Sequence, residues 1–522
     1  MPTGWHQLLL WGVLTLLGAC QDSPHQSRQQ PIRMALSTVP LNLDPRFATD
    51  ATSERINRLL YQRLVEFNDR SMPVPGIATW ERITPKYYRF YLTSQRSSFA
   101  HGRMLDAWDV VETYRQVLDP DNGSPKRAAL SLISRVDARD QQTVEFTLER
   151  EDPLFPAYLT LDILPADLIH SGHDFSTRPV GSGGFEFSAW PEPGRIQLQR
   201  RRDGRLFEMV AVKNPTVRVL KLLRGELDLL QSDLSPELTA YLRSRDEVVV
   251  SQRPGSNFTY LGVNYADPAT GNLQVRRAIA YAIDRAAIIQ GVMRGSARPA
   301  ESLFPAGHWA GSVLSGYRHD PDKARALLAE LGYTPDHPLR LTYKTSSDPF
   351  RVRLATIIQS QLRDVGIAVQ VRSYDWGTFF GDIKQGNFQL YSLTWVGLRT
   401  PDIYREIFAT DAVPPNGANR GRYTNPKVDA WLDETRNGLD LSGQAERYRH
   451  IAEAVHRDLP YIPLWYEDQI LAHSRRVTGY DLSSDGNYDG LEQIHLVENP
   501  ELTMADNSES ISLQLSGSRS VE

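Results

Sequence analysis

Apolar positions recur every three to four residues in some stretches of this chain and alternate in others, so it reads as a mixture of helices and strands. Residues 32–37 read as a first strand, with Leu43-Asp44-Pro45 as the turn after it. Alternation over residues 87–92 and 143–148 predicts two more strands. Helical spacing over residues 53–67 places Ile56, Leu59, Leu60 and Leu64 on one face. Residues 106–118 repeat the pattern, with Trp108, Val111 and Arg115 about a turn apart. Residues 185–262 mix short strands with a helix over 215–224.

Helices are clearer in the second half. Val275, Ile279, Ala282, Ala286 and Ile289 form one stripe over residues 273–294, and Gly295 follows as a C-cap. Asp320-Pro321 opens the next helix as N-cap and first helical residue; Ala324, Leu327, Leu328 and Leu331 point inward and Gly332 closes it. Residues 354–365 end at Gly366, and a strand over 367–371 follows at once. Further helices begin at Asn425-Pro426 and run over 442–459, stopped by Pro460. Helix, glycine, strand in this order is what an α/β domain produces. No internal repeat is visible.

The N-terminus carries a different signal. Residues 8–17 are an apolar run too short to span a bilayer and suited to a signal-peptide core. Leu17-Gly18-Ala19-Cys20 follows, and Cys20 is the only cysteine of the 522 residues. The segment resembles a bacterial lipobox, which implies removal of residues 1–19 and a lipidated Cys20, although residues 1–7 hold no Lys or Arg. Residues 20–30 read as a polar tether and Ser-rich residues 501–522 as a disordered tail. With one thiol, no intrachain disulfide forms, so the fold rests on its core. A net charge of −5 argues against a nucleic-acid binder. Ten Trp and 22 Tyr suit either a roomy cleft or a core.

Several motifs together resemble the family 5 solute-binding proteins of ABC importers, which take up peptides, nickel and related solutes. They are Leu41-Asn42-Leu43-Asp44-Pro45, Arg178-Pro179-Val180-Gly181-Ser182-Gly183-Gly184-Phe185 and Gly225-Glu226-Leu227-Asp228. The strongest is Gly262-Val263-Asn264 together with Val275-Arg276-Arg277-Ala278 through Ala282-Ile283-Asp284-Arg285. Tyr423-Thr424-Asn425-Pro426 and Pro460-Tyr461-Ile462-Pro463-Leu464 complete the series. The resemblance implies an α/β, periplasmic-binding-protein-like (class C, type II) two-lobe fold with three domains and a hinge cleft. Domain I would comprise residues 31–47, 178–262 and 471–500; domain II, 48–177; and domain III, 263–470. It implies capture of a small solute without catalysis, no cofactor or metal, a monomer, and delivery to a permease and ATPase. The protein would sit on the periplasmic side of the envelope, held to the membrane through its lipid. A ligand sensor or scaffold on the same fold and an envelope hydrolase are the alternatives.

The binding residues depart from the family pattern. In the peptide-binding branch a Trp-x-Gly-Asp stretch supplies the carboxylate for a peptide's ammonium. Here the stretch reads Trp395-Val396-Gly397-Leu398-Arg399-Thr400-Pro401-Asp402. Leu398 stands at the anchor position, Arg399 follows, and Asp402 comes four residues later. Residues 344–350 also lack the arginine that pairs with a dipeptide's carboxylate. Poor affinity for ordinary free-amine peptides is the expectation, with a ligand neutral or anionic at that end. Tyr374, Trp376 and Trp395 are the aromatic ligand candidates, with Tyr260 and Asn264 on the strand of the Gly-Val-Asn motif. His170 and His173 are read as residues of an exposed loop, not as metal ligands.

Overall fold

The computed structural model describes residues 30–437 and 439–497. The predicted signal peptide, Cys20, the tether up to residue 29 and the predicted tail lie outside the described residues.

Most helices begin where a short polar side chain takes up free N–H groups of the first turn. Asp50, Asn214, Ser235, Asn272, Asp320, Asp348, Asp375, Asn425 and Asp440 each cap one this way. Asp106 and Asp109 form a reciprocal capping box on Ala107–Leu118. Among the described residues, eleven strands join one mixed sheet. Ile32–Leu36 lies parallel to Leu206–Ala211 and Leu229–Gln231 on one side. Leu339–Ser346 lies parallel to Ile367–Tyr374 and Leu390–Trp395 on the other. Two long antiparallel strands, Val248–Val263 and Tyr461–Ser474, run between the halves. Their pairing slips between Arg253 and Asn257, leaving a bulge at Pro254-Gly255-Ser256.

A separate four-stranded antiparallel sheet, Ala78–Thr84, Tyr87–Leu92, Thr143–Leu148 and Ile133–Asp140, packs with Ala107–Leu118. Phe90, Phe146, Tyr114 and Phe155 interlock at its core. Just beyond it, Leu154 and Ala157 leave this unit and enter the cluster formed by Phe304, Tyr404 and Tyr448. That seam closes one side of the space between the halves.

Three predicted helices differ. The helix over 53–67 spans only Ala51–Leu60 and gives way to the strand Val65–Phe67. Leu59 and Leu60 pack into one core while Leu64 and Val65 pack into another, so the chain must turn between them. Gly183 N–H caps the Leu60 carbonyl at 2.8 Å. A Cβ at Gly181 or Gly183 would lie within 2.4 Å of the carbonyl oxygens of Leu60 and Leu59, so this loop needs glycine for close approach. The stripe over 273–294 is broken. Leu273–Ala282 ends, Asp284 caps a new turn at Ala287, and Ile288–Val292 follows as a π-turn. On Ala107–Leu118 the inward face is Val110, Val111, Tyr114 and Val117, and Trp108 points outward.

Candidate ligand-binding cleft

Three cavities of about 610, 650 and 620 Å³ lie between the halves among the described residues. One side chain, Arg399, lines all three. Its position follows from the strand Leu390–Trp395, which pairs with Val248–Val263 and delivers residues 396–402 to the cleft. Gly397 takes φ +70 in open space, so its glycine answers a backbone requirement and not crowding.

Arg399 is anchored at three points. Its guanidinium donates to Asp485 at 2.7 Å, and lies 5.4 Å from the centre of the Phe67 ring. Its carbonyl accepts from His308 Nε2 at 2.8 Å. Ala310 N–H donates to His308 Nδ1, so both ring nitrogens are satisfied in the neutral form. Burial accordingly pushes His308 down to about 4. Burial also lowers the Arg399 value, which Asp485 only partly restores. Enclosure raises Asp485, but Arg399, Ser483 and Asn487 outweigh it and hold the carboxyl below its ordinary value.

The first cavity has a distinct polar lining. Asp152, with 3% of its surface exposed, accepts from Leu154 N–H and Tyr158 O–H at 3.0 and 3.3 Å. Asp402 opens onto the same cavity at the start of the short helix Ile403–Phe408. Enclosure pushes the Asp152 carboxyl up, whereas Asp402 is exposed. Gln444 and Tyr448 of the helix Leu441–Asp458 complete this wall.

The remaining sequence candidates are placed elsewhere. Gly397 lines the third cavity, Leu398 the second and Asp402 the first. Tyr260, Asn264, Tyr374, Trp376 and Trp395 line none of the three. Tyr260 is fully buried, stacked on Tyr461 with ring centres 3.7 Å apart. Asn264 holds the Gly386 and Phe388 carbonyls at 3.1 and 3.0 Å. Tyr374 ends the edge strand Ile367–Tyr374, with the Lys344 ammonium 5.5 Å from its ring centre. Trp376 is 58% exposed and stacks on Phe380. The Arg420 guanidinium lies 5.0 Å from the Trp395 ring centre.

Arg351, the first arginine past residues 344–350, is tied to Glu467 on the long strand Tyr461–Ser474 at 3.1 Å. His170 sits 3.4 Å from Glu112, and His173 bonds the Arg178 carbonyl. No group of three metal-ligating side chains occurs among the described residues. Sequence reasoning missed Asp485, Asp152, His308, Phe67, Tyr158 and Gln444, all of which reach the cleft from distant segments.

A two-half molecule whose cavities converge on one side chain between the halves is built to enclose a solute. The chain belongs to the bacterial extracellular solute-binding proteins, family 5, whose middle segment matches residues 73–411. It is 26% identical over 516 residues to Di/tripeptide-binding protein 2 of Pseudomonas aeruginosa (strain UCBPP-PA14), covering 90% of this chain and 96% of that one. It is 27% identical over 531 residues to Heme-binding protein A of Haemophilus influenzae, covering 92% and 97%. The fold is similar to that of the ABC transporter substrate binding protein CtaP of Listeria monocytogenes, with a TM-score of 0.81 and 22% identity over 90% and 99% of the two chains. The fold is thus the two-lobe α/β fold of periplasmic binding proteins, and the role is extracytoplasmic substrate capture. These relatives are substrate-binding proteins, not enzymes. No described helix is long and apolar enough to cross a membrane.

Proposed function

We propose that this protein captures a small peptide-like solute in the cleft and delivers it to an ABC permease and ATPase. It acts as a monomer held to the periplasmic side of the envelope by lipidated Cys20. The observation that carries this reading is the convergence of three cavities on Arg399 between the lobes. Gly397, Leu398, Arg399 and Asp402 are the proposed solute contacts. Tyr260, Asn264 and Trp395 frame the strand that carries them, while Tyr374 and Trp376 stand on a separate strand end and helix start.

Three domains cut at residues 48, 178, 263 and 471 belong to the same reading. Closure runs through Val248–Val263 and Tyr461–Ser474, bending at the bulge over Pro254-Gly255-Ser256. Leu398 offers no charge to an ammonium, and burying that charge unpaired costs several kcal/mol, so about that much affinity is lost there. The part of the solute that meets Leu398 and Arg399 is therefore neutral or anionic.

The test is an inventory by mass spectrometry of small molecules released on denaturing the purified protein, with small-angle scattering before and after their return. A compact saturated form and a looser stripped form are expected. Recovery of solutes that bind without changing the scattering would count against closure. Failure of every recovered solute to rebind would count against capture.

A further inference from the structure

The short hairpin of Val65–Phe67 and Pro73–Pro75 belongs to two cores at once. At its root, Leu64 and Val65 pack with Ile77 and Phe90 in the core of the lobe that carries the four-stranded sheet. Gly76 N–H donates to the Leu64 carbonyl and Ile77 N–H to that of Arg63, both at 3.0 Å, so the root is fixed to that lobe. At its tip, Phe67 and Met72 pack instead against the cluster that holds Phe304, Trp309 and Tyr404 of the opposite lobe. Trp309 N–H donates to the Arg70 carbonyl at 3.1 Å, a main-chain bond from one lobe to the other. Beside it, Arg253 on the strand between the lobes lies 3.6 Å from Asp69.

Both surfaces of this contact hold their shape by themselves. In the turn, the Asn68 side-chain oxygen accepts from Arg70 N–H and Met72 N–H, each at 3.0 Å. The Asn68 carbonyl accepts from Ser71 N–H at 2.8 Å, and Ser71 is held at φ +58. In the seat, His308 N–H donates to the Pro305 carbonyl and Gly311 N–H to that of His308, each at 2.9 Å. Gly311 admits no side chain, because a Cβ would lie 2.1 Å from the Pro305 carbonyl oxygen. Consecutive residues of the seat face different partners: the His308 ring bonds the Arg399 carbonyl, and Trp309 N–H bonds the hairpin.

We propose that the hairpin tip is a clasp between the lobes: Met72 and the Arg70 carbonyl dock on the seat at Phe304–Trp309 and hold the cleft shut by contacts in which no solute takes part. The proposal rests on the reading of the molecule as one that closes by hinge motion. Opening separates tip from seat, which exposes apolar surface of Met72 and breaks the bond to Trp309 N–H. The clasp therefore adds a fixed bias toward the closed form, present in the empty protein as well. Because His308 adjoins Trp309, the wall loop at Arg399 and the clasp share one footing.

The full chain, stripped of solute, tests this without any ligand. Hydrogen exchange reads the Trp309 amide, and small-angle scattering reads the spacing of the lobes. In the wild type the Trp309 amide is expected to be protected. Met72→Ser should speed its exchange about tenfold, the scale set by half-burying a methionine, and should raise the radius of gyration. Asp69→Arg, at a position 89% exposed, sets a cation against Arg253 and should act in the same direction by about twofold.

The Ile77 amide at the root should keep its wild-type exchange in both variants, which separates loss of the clasp from loss of the fold. Should Met72→Ser lose that protection too, Asp69→Arg alone decides. A Trp309 amide that exchanges freely in the stripped wild type would overturn the proposal. So would exchange and lobe spacing that neither variant alters. If the solutes released on denaturation still compact the wild type in either case, the clasp falls and solute capture stands.

Discussion

Arg399 and Asp485 stand 86 residues apart in the chain, yet their side chains meet at 2.7 Å across the cleft. The arginine rides on the loop after Leu390–Trp395. The acid lies in the returning C-terminal segment, fixed by Ser483 and Asn487. Each is about a quarter exposed, so the pair is screened more than a core pair and less than a surface one. It ties the segments around the second and third cavities together at the point where all three meet.

Breaking that pair should loosen the cleft. Asp485→Asn and Arg399→Gln are each expected to lower unfolding stability by about 1–2 kcal/mol, between the ranges for exposed and buried pairs. A double-mutant cycle in urea should return a coupling of about 1 kcal/mol. Strict additivity would show that the contact contributes nothing.

His308 should make stability sensitive to acid. Its folded value of about 4 lies below the ordinary 6.5. Below 6.5 the unfolded chain binds a proton that the native state refuses, so stability falls as pH drops from about 6.5 to about 4. His308→Gln should flatten that window while keeping a donor for the Arg399 carbonyl. Acid titrations followed by circular dichroism would show the difference.

The glycine loop should tolerate no side chain. Gly181→Ala places a Cβ 1.9 Å from the Leu60 carbonyl oxygen, and Gly183→Ala places one 2.4 Å from that of Leu59. Each should destabilise by about 1–3 kcal/mol, as overpacking does. Gly225, with open space around it and φ +70, is a different case, where strain and not collision would follow. Thermal melts of the three alanine variants would rank them.

Lipid attachment is checked at Cys20. Wild-type protein should partition into detergent, and Cys20→Ala should remain in the aqueous phase. Equal partitioning would remove the anchor from the proposed function.

Much of the frame was legible because helix starts are written locally. Asp320-Pro321 and Asn425-Pro426 set caps that the structure keeps. The helix over 53–67 misled because its apolar spacing continues past Leu60, although the residues beyond serve a different core. The loop carrying Leu398, Arg399 and Asp402 was found by motif. Its partners were not, since Asp485 and Asp152 lie far along the chain and each looks like an ordinary loop acid. Aromatic residues were the least informative. Tyr260 on a central strand and Trp376 at a helix start carry the same rings, but only their packing separates core from surface.

The chain crosses between the lobes along Val248–Val263 and returns along Tyr461–Ser474, and the irregular step at Pro254-Gly255-Ser256 sits on the first of these. Bending there involves the same few peptide units whatever lies in the cleft. The work of closing is thus a constant shared by all solutes. Pro254, Gly255 and Ser256 also line the second cavity, so a change there shifts every dissociation constant through the shared work of closing and, in addition, those of solutes that reach that cavity.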